Sequence, residues 1–169
     1  MQKEKFITVM AVLDDTTQEL LDSIQCDLEQ QYGIDTKTKD IPYHITLGSY
    51  AVEETDVIVA RIKEVANNTS CFELKFNDLD HFGNMVRFLR PEISKELLDL
   101  HQHFDSDYAN GYPEWMPHAT VYRHSEPREI ELSKQIIDKI EVAKNARIIG
   151  IELGEFFPPK KIIRVLFEQ

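Results

Sequence analysis

The chain has 169 residues, of which 42 % are apolar and 29 % charged, and its formal net charge is −11 at neutral pH. That length suits one domain or two small lobes sharing a core, and no apolar stretch approaches the roughly 18–20 residues needed to cross a bilayer. The acidic balance argues against extensive binding of long duplex nucleic acid, which rests on phosphate neutralisation by Lys and Arg; a small nucleotide or an RNA end is easier to accommodate.

In chain order, Phe6-Ile7-Thr8-Val9-Met10-Ala11-Val12-Leu13 is an apolar run too short for a span. Asp14-Asp15 stands where small residues would mark a signal cleavage site, so the run reads as a strand and the cytoplasm as the compartment. Asp14 or Asp15 offers an N-cap, and Leu20, Leu21, Ile24 and Leu28 recur at helical spacing up to Gly33. Residues 43–50 are rich in strand formers. A second helix is expected over residues 53–67, with Val57, Ile58, Ala60, Ile62 and Val65 inward, before the turn Asn67-Asn68-Thr69. Phe72, Leu74 and Phe76 alternate with Glu73, Lys75 and Asn77, as in a half-exposed strand. Gly83-Asn84 turns that strand into residues 85–89, giving a hairpin. Pro91 suits the first turn of a helix running to about Tyr108, with Ile93, Leu97, Leu98, Leu100 and Phe104 inward. Residues 117–123 form a further strand. Glu126-Pro127 opens a helix with Ile130, Ile136, Ile137 and Ile140 inward, and residues 147–156 and 162–167 close the chain as a hairpin about Pro158-Pro159. Cys26 and Cys71 form no C-x-x-C and no zinc spacing; they read as small core or near-surface residues.

The order β-α-β-α-β-β-α-β-α-β-β can be laid out as two similar blocks, and each contains one copy of His-x-Thr. The first is Pro42-Tyr43-His44-Ile45-Thr46-Leu47 and the second Pro117-His118-Ala119-Thr120-Val121. With six histidines, and Thr two positions on roughly 1 time in 20, two such pairs arise by chance in about 4 % of sequences; the shared proline and apolar flanks lower that further. On a strand, residues i and i+2 share a face, so His44 pairs with Thr46 and His118 with Thr120, while the apolar residues between them enter the core. One neutral and one protonated imidazole can coexist near neutral pH. The first activates a water or a ribose hydroxyl, the second donates to the leaving oxygen, and the threonine hydroxyls bind non-bridging phosphate oxygens. Such a site needs neither metal nor cofactor. His101 and His103 lie two apart on a helix and do not share a face, and His81 falls near a hairpin tip.

The two His-x-Thr strands, their half-length separation and the βα duplication resemble the 2H phosphoesterase superfamily, which includes the RNA 2′,3′-cyclic phosphodiesterases also called 2′-5′ RNA ligases. The resemblance implies an α+β, bilobal fold over residues 1–169 as one domain. Two pseudo-twofold-related lobes would each carry an antiparallel sheet with helices outside, around a central cleft. It implies catalysis by His44 and His118 and phosphate binding by Thr46 and Thr120. Arg123, five residues after His118, matches a position where the RNA phosphodiesterase branch often has a phosphate-contacting arginine. Strand parity puts it on the Ala119/Val121 side, unless the strand bulges. Ser49 stands at the equivalent place in the first motif, which leaves other branches open. Tyr122 shares the parity of His118 and Thr120, as Gly48 shares that of His44 and Thr46, so that a large residue would face a small one. Trp115 and Phe82 are candidates to flank the pocket mouth. The expected protein is a monomeric, metal-independent phosphodiesterase acting on a cyclic phosphate or phosphodiester of a small nucleotide or RNA end, with 2′-5′ ligation as a further expectation and no membrane partner. The alternative is a nucleotide-sensing module with little or no turnover.

Overall fold

The computed structural model describes residues 3–33, 40–106, 114–124, 131–132 and 134–169. Among these residues seven strands and four α-helices follow one another as β1 (Phe6–Leu13), α1 (Asp15–Tyr32), β2 (His44–Ala51), α2 (Thr55–Asn67), β3 (Phe72–Phe82), β4 (Val86–Pro91), α3 (Lys95–Gln102), β5 (Ala119–Arg123), α4 (Lys134–Ala143), β6 (Asn145–Phe156) and β7 (Lys160–Leu166). A single 3₁₀ turn, Val52–Glu54, precedes α2.

Helix α1 begins where its cap chemistry dictates. The Asp14 carboxylate accepts from the Thr17 amide and, at 2.7 Å, from the Thr17 hydroxyl. The same carboxylate accepts the Arg147 amide at 2.8 Å, so the cap also ties the helix to β6. The helix ends at Gly33, whose φ of 69° lies in the left-handed region open to glycine. Leu21, Ile24 and Leu28 are buried, as the spacing predicts.

Among the described residues every pairing between these strands is antiparallel, in the order β2-β1-β6-β3-β4-β5 with β7 beside β6. Strand β6 is long enough to take two neighbours along one edge: β3 pairs with its first residues (Phe72↔Ile148 to Lys75↔Asn145) and β7 with its last. Read from its two ends, the sheet runs β2-β1-β6 and β5-β4-β3. The halves are thus related strand by strand and meet where β6 pairs β3. The end strands β2 and β5 come back within 8 Å of each other between Cα atoms.

The helices cover one face of the sheet. Ile7, Val9, Ala11 and Leu13 of β1, Ile45 and Leu47 of β2, and Ala119 and Val121 of β5 join one apolar core with Leu21, Ile24, Ile58, Ile62, Leu97, Leu100, Ile136 and Ile140 of the helices. Met10, Val12 and Phe88 are buried as well but lie outside that cluster, on the opposite face. That face carries the site.

Several helical expectations need correction. Pro91 ends β4, and α3 begins four residues later, after Ser94, whose hydroxyl accepts from the Leu97 amide. Val57 is 63 % exposed, and Ile93, Leu98 and Ile137 are exposed too. Each of Val57, Leu98 and Ile137 adjoins a residue that is buried, and neighbours on a helix point about 100° apart, so one of each pair turns outward. Tyr108, Glu126-Pro127 and Ile130 lie outside the described residues.

Candidate active site

His44 opens β2 and His118 immediately precedes β5, and the two rings are held in the same way. The Nδ1–H of His44 donates to the carbonyl of Pro42 at 2.7 Å, and that of His118 to the carbonyl of Met116, also at 2.7 Å. A carbonyl only accepts, so in each neutral ring Nδ1 carries the proton and Nε2 is the basic nitrogen. Each pin reaches back two residues along the chain, into the proline-containing approach.

Register fixes what else lies on this face. Directly opposite residues of an antiparallel pair share a face. Val12 faces His44, Met10 faces Thr46, and Phe88 faces Thr120. A β-bulge follows the threonine in both motifs. In the first, Val9 pairs Gly48 while Met10 pairs Thr46; in the second, Arg87 pairs Tyr122 while Phe88 pairs Thr120. The extra residue reverses the alternation beyond it. Ser49 therefore returns to the face of Thr46, where its hydroxyl lies 3.0 Å from that of Thr8. Arg123 likewise returns to the face of Thr120. Tyr122, expected beside His118 and Thr120 from parity, is 1 % exposed and sits in the helix-side core. The parity assigned to Arg123 and Tyr122 is thus exchanged, and the bulge is the reason. The one bulge repeats in both halves and makes Ser49 and Arg123 structural equivalents.

The two imidazoles interact. Burial pushes His44 down from its ordinary 6.5 to about 4, against the opposing pull of the Pro42 carbonyl, and a charge on His118 lowers it further. His118 is also lowered, first by burial and then by the Arg123 guanidinium, again opposed by a carbonyl, that of Met116. The His118 ring meets Phe82 and Phe88 edge-on, at 5.2 and 5.3 Å between centroids. These two aromatics stack at 4.3 Å and account for the dry surroundings of the ring.

Struts hold β2 in place. The Gln18 side chain brackets Tyr43, donating to its carbonyl at 2.7 Å and accepting from its amide at 2.8 Å, one residue before His44. Trp115, three residues before His118, donates its indole N–H to the Thr46 carbonyl at 2.9 Å, so the approach to the second motif is bonded to the first. Its ring stacks on His101 at 3.7 Å and 2°, and His101 Nδ1–H donates to the Leu47 carbonyl at 2.8 Å. A Cβ on Gly48 would fall well inside contact with the Phe104 carbonyl oxygen and 3.0 Å from its carbon, so Gly48 lets the segment after α3 lie against β2. Trp115 and His101 act here through backbone carbonyls, a role that no spacing in the sequence signals. Among the described residues no group of three His, Cys, Asp or Glu side chains is placed to hold a metal ion, and no helix is long and apolar enough to cross a membrane.

Comparison with known proteins fits this geometry. A family model described as the 2′-5′ RNA ligase superfamily matches residues 13–153. Among solved structures, E. coli LigT in its apo form is similar over 99 % of this chain and 100 % of its own, with a TM-score of 0.63 at 15 % identity. The Thermus thermophilus protein TT0787 is similar over 96 % of this chain and 97 % of its own, with a TM-score of 0.61 at 16 % identity. E. coli LigT complexed with 3′-AMP gives 0.59 at 14 % identity, over 99 % and 100 % of the two chains. No curated protein matches the sequence.

Proposed function

The chain belongs to the 2′-5′ RNA ligase superfamily of 2H phosphoesterases, and from that premise we propose that it is a metal-independent phosphodiesterase that cleaves a cyclic phosphate or phosphodiester on a nucleotide or RNA end. The observation that carries this reading is the identical pinning of His44 and His118, which frees the same nitrogen of each ring for proton transfer, together with their electrostatic coupling. In hydrolysis of a 2′,3′-cyclic end, one neutral Nε2 takes a proton from the attacking water as the new P–O bond forms. The other, protonated, gives its proton to the ribose oxygen as the ring P–O bond breaks. Thr46 and Thr120 donate to the non-bridging oxygens, and Arg123 offsets their charge. That E. coli LigT has been crystallised with 3′-AMP supports a nucleotide as the ligand.

A second reading, a nucleotide-sensing module, is favoured by one observation: burial biases both imidazoles toward the neutral form. An enzyme resolves this through its substrate. A phosphate anion between the rings favours the imidazolium and restores the acid. Turnover of 2′,3′-cyclic nucleotides in the presence of chelator separates the two. Hydrolysis that falls about 10²–10⁴-fold in both His44→Ala and His118→Ala supports the enzyme. Tight mononucleotide binding without turnover supports the module.

A further inference from the structure

A cleft of about 490 Å³ opens on the site face of the sheet beyond the histidines, lined by Asp40, Pro42, Glu152, Lys160, Lys161 and Arg164 among others. Its position follows from register. Thr46, Met10, Glu152 and Arg164 stand side by side across β2, β1, β6 and β7. Three strand spacings separate Thr46 from Arg164, about 14 Å, which is beyond the reach of one nucleotide held at the histidines. A bulge in β7 sets Lys161 opposite Gly154, two residues from Glu152 on β6, and so turns Lys161 to the face of Arg164. Gly154 keeps the floor low: a Cβ there would meet Met10 Cε at 3.0 Å. One wall, the stretch through Pro42, is the same stretch whose carbonyl pins His44.

Two features of this cleft ask for a ligand. Three cations, Lys160, Lys161 and Arg164, line it in a chain whose net charge is −11, and all three are exposed. Glu152 is 0 % exposed, yet among the described residues only its Oε2 is partnered, accepting from Arg164 Nε at 2.5 Å, and Oε1 finds no hydrogen-bond partner there. A buried carboxylate oxygen left without a donor is costly, and a ligand that brings one removes the cost. Cations and an acceptor together fit a phosphorylated ligand that also carries a hydroxyl or amino hydrogen.

We propose that this cleft is a second nucleotide subsite, which binds the RNA strand beyond the reacting nucleotide. Lys160 and Lys161 hold a backbone phosphate, and Glu152 Oε1 accepts a hydrogen bond from the ribose hydroxyl or base amino group of the same nucleotide. The choice of RNA as the ligand rests on the proposed function; the cation and acceptor pattern does not.

The test is calorimetric titration in a His118→Ala background, where bound substrate is not consumed. The probes are an RNA tetranucleotide ending in a 3′-phosphate and the corresponding mononucleotide 3′-phosphate. Lys160→Ala with Lys161→Ala should weaken the tetranucleotide about tenfold and lower the slope of log affinity against log salt by about 0.7, as one lost single-strand phosphate contact does. Mononucleotide affinity should stay within about twofold. Tetranucleotide binding unmoved by the double substitution, or both probes weakened alike, would overturn the subsite. Glu152→Gln should also weaken the tetranucleotide; a loss that disappears with deoxyribose assigns the donor to the ribose, one that persists assigns it to the base, and no loss with either refutes the role of Glu152. A wild-type protein that turns over no cyclic phosphate would refute the proposed function alone, since the lysine-dependent binding is measured without turnover.

Discussion

Replacing His44 by Asn should make the protein less sensitive to acid. In the folded chain His44 is held down to about 4, whereas the unfolded chain titrates at its ordinary 6.5. Between those values the unfolded state binds the extra proton, so stability falls as pH falls through this window and is fully present above it. Each pH unit between the two values is worth about 1.4 kcal/mol. The loss attributable to His44 reaches about 2 kcal/mol by pH 5 and about 3 kcal/mol by pH 4. At about 2–4 °C per kcal/mol for a chain of this size, the pH 5 figure corresponds to a melting temperature lowered by about 4–8 °C. The assay compares melting temperatures or urea midpoints of wild type and His44→Asn at pH 7 and pH 5. The wild type should lose more on acidification, and the difference cancels the carboxylates and histidines common to both. Parallel losses would refute the argument that burial keeps His44 neutral, and with it the account of why the acid proton must await the phosphate.

Other outcomes follow from the same geometry. Arg123→Gln should raise the Michaelis constant about tenfold or more, as loss of a charged phosphate contact does, and should move the limb of the pH profile that belongs to His118 to higher pH, because the guanidinium lowers that ring; an unmoved limb would place Arg123 away from the ring. Gly48→Ala should cost about 3 kcal/mol or more in urea unfolding, since the added methyl meets backbone that cannot swing aside. Trp115→Phe keeps the stack on His101 but drops the bond to the Thr46 carbonyl, so about 1 kcal/mol of stability should go, with turnover number falling more than the Michaelis constant changes.

Much of this was legible because the relevant physics is local. The Asp14 and Gly33 caps, the turn at Gly83-Asn84 and the two His-x-Thr strands are written in short stretches, and alternation alone sets His44 with Thr46 and His118 with Thr120 on one face. The bulges were not legible. They depend on how β2 registers against β1 and β5 against β4, pairings between segments tens of residues apart, and a single extra residue was enough to send Tyr122 into the core and Arg123 out of it. The start of α3 shows a different limit. Pro91 and Ser94 both suit a helix N-terminus, and β4 claimed Pro91 as its last paired residue, opposite Phe76, which left the cap to Ser94. The cleft beside Glu152 was invisible for the same reason as the bulges: it joins residues 40–42 to Glu152 and residues 159–164, more than a hundred positions further along the chain.

The sheet order has a consequence for how the molecule can fail. Strand β3, made by the first half of the chain, completes the half-sheet of β4 and β5, while β6, made by the second half, completes that of β1 and β2. The two histidines thus live in interlocked units, each closed by a strand on loan from the other. Each unit is incomplete by itself: without β6, β1 and β2 are left as a two-stranded ribbon, and the pairing of β6 with β3 is where the two units join. The two His-x-Thr strands are thus carried on a framework in which neither half-sheet is complete without a strand from the other half of the chain.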